Sequence, residues 1–381
     1  MSRFKFRPTV PRILALGYLG VILLGSFLLS LPISSKTGEW TPYINALFTS
    51  TSATCVTGLI AYDTFMHWTA FGQVVIILLI QVGGIGFMTV VTLFSFALGR
   101  RIGLYERVIL AQSAGAMGRS GVVRLVKRII IFTFSVELAG AFLLMIRFIP
   151  EFGAGRGIWF SVFHSISAFC NAGFDLMGAA GTPFVSLTGY VGDPLVNLTV
   201  MGLIILGGIG FLTWGDVRQH RWHLRAYCLQ SKLVLVTTAA LILVPALFFF
   251  CYEFQLPQWD GLTLGEKILG SLFQAVTPRT AGYNTVDLTQ LSGPTRMIIT
   301  LLMLVGGAPG STAGGFKVTT LAVFLLAARA VFRRRGDLQS FGRRLPTDTL
   351  QNAAAILMAY VGLFLLGGLV ISCVEGVALD A

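Results

Sequence analysis

Long apolar runs alternate along this chain with short polar stretches that end in glycine. Three times, an apolar run leads into a Ser-, Thr- or Cys-containing stretch ending in Gly, and a second apolar run broken by a glycine pair follows. The polar stretches are too short and too closely flanked by apolar sequence to be solvent linkers. Irregular backbone at membrane depth is tolerated only where protein buries it or where it lines a cavity. The pattern therefore predicts a cavity lined by these stretches, which are 54–58, 170–173 and 279–282.

The apolar runs predict a multi-pass helical membrane protein. A spanning helix needs roughly 20 apolar residues, and the chain supplies that length repeatedly. The first run follows basic residues like a signal peptide, but it is longer than a signal core and lacks a cleavage site, so we interpret it as a retained helix. An odd number of spans places the two termini on opposite sides. The predicted spans are 12–33, 69–98, 124–149, 190–214, 232–254, 294–328 and 350–374.

Composition and charge agree with this class and set its orientation. The chain is 55% hydrophobic and 12% charged, with a net charge of +12. The basic residues lie before the first span and in every second connection, which the positive-inside rule makes cytoplasmic. We therefore expect a cytoplasmic N-terminus, polar stretches that open to the outside, and no nucleic-acid partner. The basic segments are 3–12, 100–128, 218–232 and 329–344.

Signals for an enzyme or a metal centre are weak. The five cysteines have no metal-ligand spacing, and His220 and His223 have no further ligands nearby in sequence. The glycine-rich segment 306–317 resembles a nucleotide-binding P-loop, but Phe316 stands where the lysine should be and the segment interrupts an apolar run. We expect no catalytic residues and no bound cofactor. Five glycines and a proline predict instead that the sixth helix is broken in mid-membrane.

Each polar stretch is preceded by an apolar segment too short to cross a membrane, namely 43–52, 159–169 and 264–276. A cation leaving water needs oxygen dipoles in place of its hydration shell, and inward-facing backbone carbonyls supply them. A terminal glycine permits backbone angles that other residues rarely adopt, and a short preceding helix points its negative end at the cavity. The predicted cation-lining residues are Thr54, Cys55, Val56, Thr57, Gly58, Cys170, Asn171, Ala172, Gly173, Arg279, Thr280, Ala281 and Gly282.

Residues 48–59, 167–175 and 277–285 resemble the first three filter loops of the Trk/Ktr/HKT potassium transporter superfamily, and most closely those of the Ktr membrane subunit. The resemblance covers essentially the whole chain in order. It implies tandem helix–pore-loop–helix repeats arranged like a potassium channel. It also implies a homodimer in the plasma membrane that contacts membrane lipid and binds a cytoplasmic ring of KtrA-like nucleotide-binding regulators. In that family a filter glycine in every repeat accompanies potassium preference, with sodium as a further coupling or activating ion. The resemblance also implies that segment 306–317 is an intramembrane gate, with a structural kink as the alternative. Its residues include Gly306, Gly307, Pro309, Gly310, Ser311, Thr312, Gly314, Gly315 and Lys317.

The repeats divide the chain into 1–98, 99–214, 215–335 and 336–381, of which the last holds only the first helix of a repeat. The filter glycines Gly58, Gly173 and Gly282 recur at intervals that would place a fourth beyond Ala381. We therefore expect the fourth repeat to be incomplete and the chain to be truncated before the fourth filter loop. Two other functions stay open: a non-conducting membrane scaffold, and a secondary cation carrier, for which Glu137 is a carboxylate in the middle of a predicted span.

Overall fold

The computed structural model describes residues 9–86, 89–90, 122–221, 223–334, 339–340, 343–344 and 347–375. In these ranges the chain is almost entirely helix and loop. The one sheet there is an antiparallel pair of strands, each of two residues. The helices are α1 Val10–Ser30, α2 Tyr43–Cys55, α3 Ala70–Ile85, α4 Val122–Phe152, α5 Ala154–Phe169, α6 Pro194–Gly208, α7 Phe211–His220, α8 Leu229–Cys251, α9 Leu264–Val276, α10 Gly293–Leu304, α11 Val318–Phe332 and α12 Thr347–Glu375. A one-turn helix covers Thr64–His67, and the hairpin strands are β1 Gln339–Ser340 and β2 Arg343–Arg344.

The same three-helix unit occurs three times. A long helix (α1, α4 or α8) packs against the short helix that follows it (α2, α5 or α9), and a return helix starts after a further loop. Asp193 starts the second return helix by accepting hydrogen bonds from the N–H groups of Leu195 and Val196. Thr263 and Glu266 start α9 with a reciprocal capping box. The chain is thus an all-α membrane protein built from helix–loop–helix repeats.

Four described helices are long and apolar enough to cross a membrane, and the number is five if a bent pair is counted as one span. The four correspond to the predicted spans 12–33, 124–149, 232–254 and 350–374. The span predicted at 190–214 is the pair α6 and α7, which bend by 98°. The span predicted at 294–328 consists of α10 and α11, which segment 305–317 separates, so the predicted helix break is confirmed.

The buried core surrounds the short helices. Phe160, Phe163 and Phe169 of α5 are fully buried, as are Phe273 of α9 and Tyr283 beyond it. Much of α12 and part of α8 instead leave large apolar side chains exposed. That distribution is what a bilayer environment requires, because lipid tails cover the outer faces while protein covers the loops.

The glycine pairs of the first two return helices pack directly against the short helices, because residues without a side chain let helices approach closely. A Cβ on Gly83 would lie 2.1 Å from the carbonyl oxygen of Thr54, and one on Gly207 would lie 1.9 Å from that of Phe169. Only glycine permits these approaches. The sequence did not predict that the second return helix ends at Gly208 and that the chain then turns sharply into α7.

Several sequence predictions concern residues outside the described ranges. They include the basic residues at 3–7 and 100–119, the end of the span at 69–98, the repeat boundaries at 98/99 and 335/336, and the chain end at 376–381.

Candidate cation site

The three polar stretches share one unusual backbone conformation. In each, a residue that is not glycine has a positive φ, and the glycine two positions later has a positive φ as well. Two of the three residues before the glycines are β-branched, for which this conformation is a clear outlier. Strain of this kind, repeated in three loops of different sequence, is typical of functional backbone. The pairs are Val56 (57°) and Gly58 (82°), Asn171 (58°) and Gly173 (71°), and Thr280 (78°) and Gly282 (86°).

The three loops also contact one another in chain order. A Cβ added to Gly58 would lie 2.8 Å from the carbonyl oxygen of Ala172, and one added to Gly173 would lie 2.2 Å from that of Ala281. The glycine of one loop therefore rests against a carbonyl of the next. Gly282 differs, since the nearest heavy atom to an added Cβ is the Cα of Gly173 at 3.8 Å. All thirteen predicted cation-lining residues thus lie in or beside one cluster of adjoining loops.

The carbonyl groups of these loops are unusual in having no hydrogen-bond donors. Among the described residues, no donor bonds to the carbonyl oxygens of 56–58, 170–173 or 279–282. Several of the N–H groups are bonded, for example Thr57 N–H to the Ser52 carbonyl at 2.9 Å and Ala172 N–H to the Ser167 carbonyl at 2.8 Å. Because backbone carbonyls inside proteins are normally paired, this set is available to a cation.

Side chains below the loops hold them in this shape. Ser167 Oγ donates to the Phe174 carbonyl at 2.8 Å, and Thr277 Oγ1 donates to the Tyr283 carbonyl at 2.6 Å. The Tyr283 hydroxyl also donates to the Phe174 carbonyl at 3.0 Å, which joins the second loop to the third. The side chains of Ser167, Thr277 and Tyr283 are buried, and so is that of Phe174. The short helices end at these anchors, so their negative C-terminal ends face the loops.

Segment 305–317 lies against the break between α6 and α7. Ala308 N–H donates to the Gly208 carbonyl at 2.8 Å, and Phe211 N–H donates to the Gly310 carbonyl at 2.9 Å. A cavity of about 120 Å³ adjoins Gly310 and Ser311 on the side of the first return helix. The Lys317 ammonium donates to the Ala313 carbonyl at 2.8 Å, within the segment. The predicted gate residues are therefore held by the second repeat as well as by their own.

Thr312 connects the predicted gate to the second of the three polar loops. Its Oγ1 donates to the Phe169 carbonyl at 2.9 Å and accepts from Asn171 Nδ2 at 2.8 Å. Its N–H group also donates to the Gly207 carbonyl at 3.2 Å. Sequence reasoning included Thr312 and Asn171 separately but did not predict this contact, since they lie 141 residues apart.

A buried carboxylate lies behind the second loop. Glu137 of α4 is 4% exposed and accepts from Gln81 Nε2 at 3.0 and 3.1 Å. The Cys170 thiol donates to Gln81 Oε1 at 3.8 Å. Gln81 therefore stands between the carboxylate and the loop. No sequence motif identified Gln81, although Glu137 was conspicuous as a carboxylate inside an apolar run.

Three aspartates follow the three loops, but they serve different roles. Asp63 is buried and accepts from the N–H groups of Phe65, Met66 and Phe184. Asp175 is also buried, and burial raises its pKa to about 7, opposed by a hydrogen bond from Met177 N–H and assisted by the charge of Asp63. Asp287 is exposed at the surface. Asp63 and Asp175 are thus structural parts of the segments that follow the polar loops.

The fold and site define a multi-pass membrane transport protein with re-entrant loops. The sequence profile of the family described as "TrkH: Cation transport protein" matches residues 21–381, and the chain belongs to that family. Its helices and broken spans have the arrangement seen in the potassium transporter TrkH from Vibrio parahaemolyticus. That crystal structure aligns with a TM-score of 0.70 over 98% of this chain and 74% of the other, at 18% identity.

Two curated proteins are closer in sequence. The Ktr system potassium uptake protein B of Bacillus subtilis is 41% identical over 363 residues, covering 95% of this chain and 79% of that protein. The potassium/sodium uptake protein NtpJ of Enterococcus hirae is 37% identical over 379 residues, covering 98% of this chain and 81% of that protein. The chain is therefore a homologue of the cation-uptake membrane subunits of Trk and Ktr systems.

Proposed function

We propose that this chain takes up potassium through a carbonyl-lined filter, as the membrane subunit of a Ktr-like system in the plasma membrane. One observation carries the proposal: adjoining strained loops whose carbonyl oxygens have no hydrogen-bond donor among the described residues. Such oxygens replace the hydration shell of a monovalent cation. An inward electrical gradient would drive the cation through them. The repeats would be 1–98, 99–214, 215–335 and 336–381, with the N-terminus in the cytoplasm.

The glycine in every described loop and the names of the relatives support potassium as the transported ion. The Bacillus subtilis relative is named for potassium alone, whereas the Enterococcus hirae relative is named for potassium and sodium. Sodium is therefore the competing or coupling ion to test. The filter would consist of 54–58, 170–173 and 279–282.

The name of the Bacillus subtilis relative also points to a system with more than one component. The partner would be a cytoplasmic ring of KtrA-like nucleotide-binding subunits. Basic residues on the predicted cytoplasmic side, such as Arg218, Arg225 and Arg329, offer charge for that contact. A second copy of the chain and membrane lipid would cover the apolar faces of α8 and α12.

Segment 306–317 would act as the gate beneath the filter. Its hydrogen bonds to Gly207, Gly208 and Phe211 hold it across the path in one arrangement. Residues 309–311, 314 and 315 are only partly buried or exposed, and low burial is typical of segments that open locally.

The proposal is tested by ion flux. The protein, expressed from its complete gene and reconstituted in liposomes, should take up rubidium as a potassium tracer under an inside-negative potential. Excess potassium should block that uptake, and excess sodium should block it far less. Equal block by both ions would refute a potassium filter. Absence of flux with and without the cytoplasmic partner would favour the scaffold alternative.

A further inference from the structure

A cavity of about 10 Å³ lies where the second and third filter loops, α8 and the predicted gate meet. Its polar lining comes from Asn171, Thr238 and Arg279, which are 1%, 6% and 7% exposed. Each has one side-chain atom with no hydrogen-bond partner among the described residues: Asn171 Oδ1, Thr238 Oγ1 and Arg279 Nε. Unpartnered buried polar atoms are costly, about 1–3 kcal/mol each, and three at one cavity call for a shared ligand.

The hydrogen bonds of Thr312 settle which end of the Asn171 amide remains unpartnered. A threonine hydroxyl carries one proton, and the Thr312 hydroxyl gives it to the Phe169 carbonyl at 2.9 Å. The contact between Asn171 and Thr312 Oγ1 at 2.8 Å must therefore be donated by Asn171 Nδ2. With the amide nitrogen committed to the gate, Oδ1 is the unpartnered acceptor.

The cavity thus offers one donor, one acceptor and one group that can be either. Arg279 Nε–H can only donate, Asn171 Oδ1 can only accept, and the Thr238 hydroxyl can do both. An anion would face the lone pairs of Asn171, and a cation would face the charge of Arg279. A water molecule matches all three atoms, and roughly 10–15 Å³ is the smallest cavity that holds one.

We propose that a single buried water bridges Asn171, Arg279 and Thr238, and that Thr238 is thereby a positioning residue for the filter. The water ties the second and third loops to α8, on the side where Thr312 ties the second loop to the gate. It also gives the Arg279 guanidinium a hydrogen bond at membrane depth, where no carboxylate contacts it among the described residues. The effect on ion selectivity rests on the proposed function, whereas the water itself does not.

The test uses the complete protein with its cytoplasmic partner. A density map near 2 Å resolution should show one water within hydrogen-bond distance of all three atoms. Thr238→Val keeps the shape but removes the hydroxyl, and Thr238→Ser keeps the hydroxyl. Thr237→Val is the matched control, because Thr237 is similarly buried, at 9% exposed, but does not line the cavity.

We expect Thr238→Val to lower the preference for potassium over sodium roughly five-fold, the scale of one net hydrogen bond, while Thr238→Ser and Thr237→Val keep the wild-type preference. A cavity without density for water, or with density for an anion, would overturn the water site. Clear water density together with unchanged selectivity in Thr238→Val would overturn the positioning role. If Thr238→Val does not fold, the serine variant decides: it must keep both the water and the selectivity. Failure of the wild-type protein to conduct would refute the proposed function, and the map would still test the water.

Discussion

Serine or alanine at the three filter glycines should disturb the site to three different degrees. All three glycines have φ between 71° and 86°, so any L-residue there incurs about 1–2 kcal/mol of backbone strain. The three positions differ in how close an added Cβ would lie to its nearest heavy atom. An added Cβ lies 2.2 Å from a carbonyl oxygen at Gly173 and 2.8 Å from one at Gly58. At Gly282 its nearest neighbour is 3.8 Å away, which is an ordinary contact.

The oxygen facing Gly173 belongs to the backbone of Ala281, so it cannot turn aside as a side chain would. The contact is more than ~1 Å too short, and relieving it must move the third loop. At Gly58 a shift of a few tenths of an ångström relieves the contact with Ala172. We therefore expect loss of potassium preference and of thermal stability in the order Gly173→Ala, then Gly58→Ala, then Gly282→Ala, with serine following the same order.

Competition between rubidium and sodium uptake in liposomes measures the preference, and thermal melting in detergent separates folding from filter damage. Gly189→Ala is the control, because Gly189 is exposed and an added Cβ there meets nothing within 4 Å. An equal effect at all three glycines, or the largest effect at Gly282, would refute the assignment of neighbouring loops.

Three further results are expected. Deleting 310–315, or replacing Thr312 with valine, should raise basal flux several-fold, because each net hydrogen bond holding the closed segment contributes about 1 kcal/mol. If a folded variant has unaltered flux, the segment is a structural kink and not a gate. Glu253→Ala should lower stability by about 2–4 kcal/mol, since this buried carboxylate accepts from Trp259, Ser292 and Thr295; melting should show it, with no such loss in the exposed control Glu39→Ala. Burial raises the pKa of Asp175 from an ordinary 3.8 to about 7, so its burial lowers stability increasingly as pH rises from about 4 to 7. Asp175→Asn should therefore melt at a higher temperature than wild type at pH 8. A difference in melting temperature that is the same at pH 5 and pH 8 would contradict this.

Elements whose boundaries depend on neighbouring residues were predicted well. The short helix at 264–276 has the predicted bounds because Thr263 and Glu266 form a local capping box. The break at 305–317 followed from glycine and proline content, which no tertiary contact overrides. The short helices α2 and α5 each extend beyond their predicted ends, since Thr54 packs against Gly83 and Gly157 against the end of α4.

Features created by distant contacts could not be predicted. The glycine pair at 207–208 is followed by a 98° bend, and Gly207 and Gly208 accept hydrogen bonds from segment 305–317. The positive φ of Val56 and Thr280 contradicts the intrinsic preference of β-branched residues. The identity of the filter residues stays a prediction from the sequence, whereas their backbone conformation and the proposed role of Thr238 depend on packing between repeats.

The bend at Gly210 makes α7 a lever on the gate. The first N–H of this ten-residue helix is bonded to the Gly310 carbonyl, so its near end is attached to the segment that would block the path. Its far end lies about 15 Å away, at 1.5 Å per residue, beside the basic residues Arg218 and Arg221 on the predicted cytoplasmic side. A cytoplasmic partner that bound the far end and rotated it about Gly210 would pull on the proposed gate through the hydrogen bond between Phe211 and Gly310. Regulation of that kind would need no signal relayed through the membrane core, and the stiffness of one short helix would set how far a cytoplasmic movement is transmitted.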